Sequence, residues 1–361
     1  MAEFGIYVHI PFCRHRCDYC AFATWTDRDH LMESYVDAVV TDIQRSVERG
    51  LPVADTVFFG GGTPTRLAPD LLAKIVTAIP ISPHAEITVE CNPDDVTPEM
   101  MRVYANAGVN RVSIGVQAMV SHVLVALGRT HNPSNVALAV EAARSAGISS
   151  INLDIMYGAH GETLDDWKQT VEQIVALRPT HVSAYGLTVE AGTPLAEDPA
   201  RHPDDDDQAD KYIVTDDVLS ASGLTNYEIS NWALPGHECR HNMVYWMQGN
   251  YQGFGCAAHS HENGRRWWNV RTPDRYIACV QSDESVEAAD ELLDAPTRAR
   301  EALELSLRTS RGVPLDALNH AELEGIVEVH GDRLVLTRQG RLLANDVSLR
   351  LKPSSRGGKA T

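Results

Sequence analysis

The sequence contains no long hydrophobic run and no leader-like start. Across its 361 residues, no apolar stretch reaches the ~18 residues that a membrane-spanning helix needs. Residues 1–10 lack both the basic segment and the extended apolar segment of a secretory signal. We therefore expect a cytoplasmic protein with no transmembrane segment, which leaves only peripheral association with a membrane open.

Positive charge is also scarce. The chain has 31 Lys and Arg against 49 Asp and Glu, which gives a formal net charge of −18. Proteins that bind nucleic acid use clustered Lys and Arg to displace counterions from the phosphates. We therefore expect no nucleic-acid partner.

Cysteine is too rare and too unevenly placed for a disulfide framework. There are seven cysteines, and three of them fall between positions 13 and 20. In a reducing compartment, such a cluster indicates metal binding rather than disulfide formation.

The first half of the chain alternates β-rich runs with amphipathic stretches. We expect strands at 6–10, 56–59, 86–91, 111–116, 151–156 and 181–187. We expect helices at 29–49, 69–79, 97–107, 133–146 and 164–177. Successive βα units imply parallel strands in an α/β fold, either a TIM-like partial barrel or a doubly wound sheet. Periodicity alone does not separate the two.

Composition divides the chain into four parts. Residues 1–230 form the βα part, and residues 231–285 are dense in His, Asn and Trp. We expect a small helical and winged module at 286–352, with a helical stretch from about 285 to 308, and a disordered tail at 353–361. The acidic run 204–207 reads as a loop and first helical turn rather than a metal site.

A three-cysteine motif follows the first predicted strand. Cys13, Cys17 and Cys20 are spaced CX3CX2C, with basic residues at 14–16 between them. Ferredoxin-type patterns use two-residue gaps and a fourth cysteine, whereas Phe22 stands where a nearby fourth cysteine would fall. The motif therefore predicts a four-iron, four-sulfur cluster with one iron open to a ligand. The alternative is a zinc knot completed by a histidine or a distant cysteine, although zinc sites favour paired CxxC or HxxxH spacings.

Polar residues recur where later strands end. A Gly-Gly-Gly-Thr run at 60–63 follows the second strand, and glycine there lets backbone approach a ligand closely. Glu90, Gln117 and Asp154 lie at or near the ends of the next three strands, where βα barrels place their active sites. Taken singly, each feature could be a tight turn or a capping residue. Their recurrence favours a binding site.

These residues resemble the radical-SAM proteins related to oxygen-independent coproporphyrinogen oxidase, over nearly the whole chain. The resemblance implies the partial barrel, the cluster, and a site for S-adenosylmethionine (SAM). It assigns SAM contacts to Tyr7, Tyr19, Gly61, Gly62, Thr63, Glu90, Gln117, Arg129 and Asp154. It assigns no catalytic acid or base.

Within that group the chain is most similar to the HemW haem chaperones. It lacks the N-terminal extension of the oxidase and the CxC that ends its cluster motif. It also carries the His-Asn-x-x-Tyr-Trp motif that has been linked to haem in that family, here His241, Tyr245 and Trp246. Imidazole is a common axial ligand of haem, and aromatic rings offer flat apolar surface. The alternative is that these three side chains only pack the lower barrel.

The resemblance also implies partners. It predicts haem-receiving proteins, respiratory proteins among them, and an electron donor such as a flavodoxin or ferredoxin. Two other functions remain open: a radical-SAM enzyme of the class C methyltransferase and cyclopropanase branch, and, as a more distant alternative, the coproporphyrinogen oxidase itself. His160 and Cys256 depart from the pattern of relatives. The first reads as a neutral substitution and the second as a small buried residue.

Overall fold

The computed structural model describes residues 3–352. Within them the strands form one mixed sheet of twelve strands and a second sheet of three. The strands of the large sheet are β1 (Gly5–Ile10), β2 (Ala54–Gly61), β3 (Ile81–Cys91), β4 (Arg111–Gln117), β5 (Ser150–Tyr157), β6 (His181–Gly186), β7 (Thr225–Glu228), β8 (Asn231–Ala233), β9 (Tyr251–Phe254), β10 (His259–Glu262), β11 (Arg265–Asn269) and β12 (Glu287–Leu292). The small sheet contains β13 (Val313–Pro314), β14 (Val327–His330) and β15 (Arg333–Leu336).

The strand order resolves the choice between barrel and doubly wound sheet. The large sheet runs β12-β11-β10-β9-β1-β2-β3-β4-β5-β6-β8-β7. Strands β1 to β6 are parallel and adjacent in chain order. A doubly wound sheet would instead reverse its order at a switch point near the middle. The sheet is therefore wound in one direction, as a partial barrel requires, and the carboxyl ends of its central strands share one end, called here the upper end.

The described residues also form twelve α-helices, most of which cover the outside of this sheet. They are α1 (Met32–Glu48), α2 (Pro69–Ala78), α3 (Pro98–Asn106), α4 (Ser121–Ala126), α5 (Ser134–Ser145), α6 (Leu164–Ala176), α7 (Asp205–Ala221), α8 (Arg240–Trp246), α9 (Pro273–Gln281), α10 (Ala295–Leu307), α11 (Arg338–Leu342) and α12 (Ala344–Ser348). Local signals start several of them. The Thr97 side chain accepts the Met100 N–H at the start of α3, and Thr163 forms a capping box with Asp166 on α6. Main-core residues such as Val8, Phe59 and Trp167 lie fully buried between these helices and the strands.

The predicted strands and helices of the first half are confirmed, with one clear difference in length. Strand β3 begins at Ile81, five residues before the predicted start, and includes Pro83. Proline cannot donate to a ladder and is disfavoured inside a strand. The pairing of β2 with β3 shifts register between Ala54 and Thr56, next to this segment, and the irregular pairing accommodates the proline.

The helix expected from about 285 is wrong over its first part. Residues Glu287–Leu292 form β12, which pairs with β11, and Arg265 of β11 forms ion pairs with Glu287 and Asp290. Helix α10 begins only at Ala295, where the Asp294 side chain accepts the Thr297 N–H. The Glu- and Ala-rich composition favours a helix locally, but cross-strand pairing outweighs that preference.

The C-terminal part has its own small core, which includes Leu307, Val313 and Leu334. It contacts the barrel through Ile229 and through the Ser310 N–H, which donates to the Tyr227 carbonyl. The acidic run 204–207 is the N-cap and first turn of α7, as expected. No helix among residues 3–352 is long and apolar enough to cross a membrane. The tail predicted at 353–361 lies outside the described residues.

Candidate cluster and cofactor site

The cysteine motif lies in the loop that leaves the upper end of β1. The Cys13 N–H donates to the Trp25 carbonyl and the Trp25 N–H donates to the Pro11 carbonyl, at 3.0 and 2.8 Å. The loop is thereby closed on itself around the motif. Cys13, Cys17 and Cys20 are half-buried, while the other four cysteines are fully buried. The three motif thiols are thus the ones that an incoming cluster can reach.

Two donors from the loops after β2 and α4 point at these sulfurs. The Thr63 hydroxyl donates to Cys13 Sγ and the Arg129 guanidinium donates to Cys17 Sγ, both at 3.6 Å. Burial raises the pKa of the Cys13 thiol, and the charges of Cys20 and Cys17 raise it further. Three thiolates crowded in one loop need compensating positive charge, which iron supplies. The donor set therefore fits an iron–sulfur cluster.

The spacing of the thiols bears on the zinc alternative. Ligands of one tetrahedral zinc lie within about 4 Å of one another, given Zn–S bonds of about 2.3 Å. Across residues 3–352, no group of three or more His, Cys, Asp or Glu side chains is placed to hold a metal ion. Each cysteine of a four-iron cluster binds a different iron, so its sulfurs lie farther apart. The described side chains therefore offer no preformed tetrahedral ligand set for a single zinc ion.

The glycine run passes tightly behind the cysteine loop. Gly61 has φ +105°, and a Cβ there would lie 2.3 Å from the His9 ring. A Cβ on Gly62 would lie 2.7 Å from the Ile10 carbonyl oxygen. Any larger residue would push the run away from β1. The run is therefore required to bring backbone N–H groups to the edge of the cavity below.

A cavity of about 660 Å³ opens inside the barrel below the cysteine loop. Five of the residues predicted from the sequence line it: Tyr7, Gly61, Glu90, Asp154 and Tyr245. A volume of this size is typical of sites for cofactors and other small molecules. The structure thus brings residues from β1, β2, β3, β5 and α8 to one space.

Glu90 and Asp154 make the upper part of this cavity acidic. Burial and then the charge of Asp154 raise the pKa of Glu90, to about 8, while the Gly61 N–H, which donates to Glu90 at 3.2 Å, opposes the rise. Burial also raises the pKa of Asp154, while hydrogen bonds donated by Ser113 and Asn152 lower it. Neither carboxylate has an ion-pair partner among the described residues. They are suited to a ligand that brings positive charge and hydroxyl groups.

The remaining predicted SAM residues support the site from behind or at its edge. Arg129 donates to the Gly115 carbonyl at 2.8 Å as well as to Cys17. Gln117 has φ +63° where the pairing of β4 with β5 shifts register, a strained conformation for a residue with a side chain. Tyr19 packs in a small apolar cluster with Leu124 and its neighbours. These residues connect the cysteine loop to the ends of β4 and α4.

The His-Asn-x-x-Tyr-Trp motif lies at the opposite, lower end of the barrel. Helix α8 carries it, and the Glu86 carboxylate accepts the backbone N–H groups of Arg240 and His241 at the start of that helix. His241 is 1% exposed, and its ring hydrogen-bonds Thr56 through Nδ1 at 2.8 Å and Tyr245 through Nε2 at 2.7 Å. Trp246 is half-buried. In this conformation the motif closes the barrel, and both nitrogens of His241 are engaged.

Sequence reasoning missed several residues of the cavity wall. His9 lies between Tyr7 and the cysteine loop: it accepts the Tyr7 hydroxyl at Nδ1 and donates from Nε2 to the Ala23 carbonyl. Arg111, 2% exposed, donates to Ser150 and to the His237 carbonyl. Its position at the start of β4 offered one signal, since a charged residue opening an apolar strand needs buried partners. His259 and Arg271 also line the cavity.

The two departures from the pattern of relatives do not add ligands to the cluster. Cys256 is fully buried against the Tyr35 hydroxyl, and burial raises its pKa to about 12. Burial raises the pKa of Cys239 to about 12 as well, which argues against a reactive thiol there. His160 is exposed and lines a small separate pocket with Tyr19.

Comparison with known proteins agrees with this geometry. The model of the Radical SAM superfamily matches residues 7–174. The heme chaperone HemW of Mycobacterium tuberculosis is 39% identical over 364 residues, covering 95% of this chain and 93% of that protein. The heme chaperone HemW of Escherichia coli is 33% identical over 365 residues, with coverage of 95% and 96%.

A solved structure shows the same fold. Coproporphyrinogen III oxidase (HemN) from Escherichia coli superimposes with a TM-score of 0.84 at 21% identity, covering 96% of this chain and 89% of that one. The partial barrel is therefore confirmed. The sequence similarity extends over nearly the whole length of the curated relatives, and the chain belongs to the HemW family of radical-SAM proteins.

Proposed function

We propose that this protein is a cytoplasmic haem chaperone that holds a four-iron, four-sulfur cluster and SAM, binds haem, and passes it to haem-receiving proteins. The observation that carries the proposal is the upper end of the barrel, where the three accessible thiols, with Thr63 and Arg129 directed at their sulfurs, lie above an acid-lined cavity. Similarity to curated HemW proteins supports the haem-carrying role.

Each part of the site has a distinct task in this proposal. Cys13, Cys17 and Cys20 would hold the cluster, and SAM would bind beside it in the cavity. Glu90 and Asp154 would accept hydrogen bonds from the amine and the ribose hydroxyl groups of SAM, because charge-assisted hydrogen bonds to buried carboxylates are strong. When bound, the cluster and SAM supply one-electron chemistry, for which a small redox protein such as a flavodoxin or ferredoxin is the electron donor.

Haem binding and SAM turnover distinguish the proposed function from its alternatives. The full-length protein, reconstituted anaerobically with iron and sulfide, is titrated with haem by absorbance while a parallel sample is assayed for SAM cleavage. Stoichiometric haem binding with little cleavage supports the chaperone. Cleavage without haem binding would refute it and favour a radical-SAM enzyme of the methyltransferase and cyclopropanase branch, and protoporphyrinogen formation would point to the oxidase.

A further inference from the structure

Two histidines of interest, His241 and His259, lie at opposite ends of the barrel. His241 contacts Gly5 and Thr56, which pair with each other at the lower ends of β1 and β2. Strand β9 runs parallel to β1, pairing Tyr251 with Gly5, so the chain that follows Phe254 emerges at the upper end. His259 starts β10 there, at the same end as the cysteine loop.

His241 has no free nitrogen for a metal. Both ring nitrogens form hydrogen bonds inside the protein, and the ring stacks on Phe58 with centroids 5.3 Å apart. An axial ligand must offer a lone pair to iron. Ligation through either nitrogen of His241 would therefore break a buried hydrogen bond, to Thr56 or to Tyr245, at the lower end of the barrel.

His259 presents the opposite situation. Its side chain is exposed and lines the cavity, and its ring stacks on Trp268, its cross-strand partner, at 5.7 Å and 26°. Neither ring nitrogen has a hydrogen-bond partner within residues 3–352. Partial burial lowers the pKa of His259, which favours the neutral form that can donate a lone pair. This imidazole is oriented by stacking and is free to bind.

Two further side chains at this rim suit a porphyrin. Arg271 is exposed, lines the cavity, and has no hydrogen bond or ion pair in the described part of the chain. In a protein of net charge −18, a guanidinium without a carboxylate partner is suited to a ligand carboxylate. Phe22, in the cysteine loop, is 63% exposed and lines the same cavity. An exposed aromatic ring beside a cavity offers flat apolar surface.

We propose that haem binds across the upper rim of the cavity, with His259 as an axial ligand of the iron, Arg271 paired with a propionate, and Phe22 against the macrocycle. This proposal rests on the haem-binding function proposed above. It places the haem beside the cysteine loop and assigns the motif at His241 to closing the lower end of the barrel.

The test is a haem titration of the anaerobically reconstituted full-length protein, followed by absorbance and magnetic circular dichroism. His259→Ala should bind haem at least tenfold more weakly and lose the spectral signature of an imidazole ligand, which added imidazole should restore. His330→Ala removes an exposed histidine of the small C-terminal sheet and is the matched control, expected to behave as wild type. Iron content and far-ultraviolet circular dichroism verify that each variant is folded.

Arg271 is tested independently of the axial ligand. Arg271→Gln should weaken haem binding about tenfold without changing the ligand signature, and it should bind haem dimethyl ester as wild type does, because the ester has no carboxylate to pair. An Arg271→Gln loss of the same size with the ester would overturn the assignment of a propionate contact.

The outcomes also separate this proposal from the one on which it rests. If the wild-type protein binds no haem, both are wrong. If it binds haem and His259→Ala keeps wild-type affinity and spectrum, only the rim site is wrong. If His241→Ala loses the imidazole signature while its circular dichroism and urea unfolding are unchanged, the rim site is also wrong, and the haem ligand lies at the lower end of the barrel.

Discussion

Replacing Glu90 by glutamine should stabilise the protein without ligands and weaken its binding of SAM. The carboxyl lies beside Asp154 at the acidic end of the cavity, and burial, followed by that neighbouring charge, raises its pKa from 4.5 to about 8. A raised pKa means that the folded protein binds this proton more tightly than the unfolded chain does. The stability contributed by the proton is complete below about pH 4.5 and is lost as the pH rises towards 8.

The size of the effect follows from that shift. Each pH unit above the ordinary pKa costs about 1.4 kcal/mol while the group stays protonated only in the folded state. At pH 7 the maximum is about 3 kcal/mol, and water in the cavity reduces it. Glutamine keeps the shape and can still accept the Gly61 N–H at its carbonyl oxygen. The free energy of unfolding of Glu90→Gln should therefore exceed that of the wild type by an amount that grows as the pH rises from 5 to 8.

The assay is equilibrium urea unfolding of the cluster-free protein between pH 5 and 9. Glu172→Gln, on the exposed face of α6, is the matched control and should show no such gain. In the reconstituted protein, Glu90→Gln should lose about 10- to 100-fold in SAM affinity, as expected for a lost charge-assisted hydrogen bond of about 1.5–3 kcal/mol. A variant that is less stable than wild type at pH 8, or that binds SAM equally well, would refute the reasoning.

Three further changes test other parts of the molecule. Lys211→Met should lower the free energy of unfolding in urea by about 3–5 kcal/mol, because it leaves the buried Glu162 carboxylate without its cation. Lys74→Met, which breaks an exposed ion pair, should lower it by under about 1 kcal/mol. Equal losses in the two variants would contradict this account. Alanine at Cys13, Cys17 or Cys20 should abolish the iron content of the reconstituted protein, whereas Cys91→Ala, in the buried core, should retain it. Loss of iron in Cys91→Ala would show that the motif does not hold the cluster by itself. Gly61→Ala should reduce SAM affinity, and it should destabilise the fold by more than Gly147→Ala does. Gly147 shares a positive φ but has open space around its Cβ position. Equal losses of stability in the two variants would mean that the close approach of Gly61 to His9 is irrelevant.

Local pattern was sufficient for the elements of the first half. Strands such as β1 and β4 are rich in β-branched apolar residues and buried along nearly their whole length, as expected for parallel strands covered on both faces. Helices such as α3 begin with a Thr-Pro start signal. Both signals depend only on neighbours in sequence, and so they can be recognised without knowledge of the fold.

The later strands were not predictable in this way. Strands β8, β9 and β10 contain only three or four residues each, too few for periodicity to show. Their existence depends on partners that are far away in sequence, as when β9 joins β1. Strand β12 shows the same effect more strongly, because it forms where the local composition favours a helix.

The candidate site likewise has features that the sequence reveals and features that depend on the fold. The cysteine spacing, the glycine run and the acidic positions at strand ends are visible in the sequence, since parallel strands bring their carboxyl ends together whatever the details of packing. Which of the histidines are free is not visible. The hydrogen bond between Thr56 and His241 joins residues 185 positions apart, and nothing near His259 in the sequence reveals that its ring nitrogens lack partners.

The sequence by itself therefore determined the class of chemistry, through three thiols, a glycine run and carboxylates whose types and spacings are set by covalent order. Tertiary structure alone decided the strand order, the acidity of the cavity and the contrast between a saturated His241 and a free His259. The physical reason is that ligand type is a property of the residue, whereas burial, hydrogen-bond saturation and pKa depend on neighbours that the fold brings from distant parts of the chain.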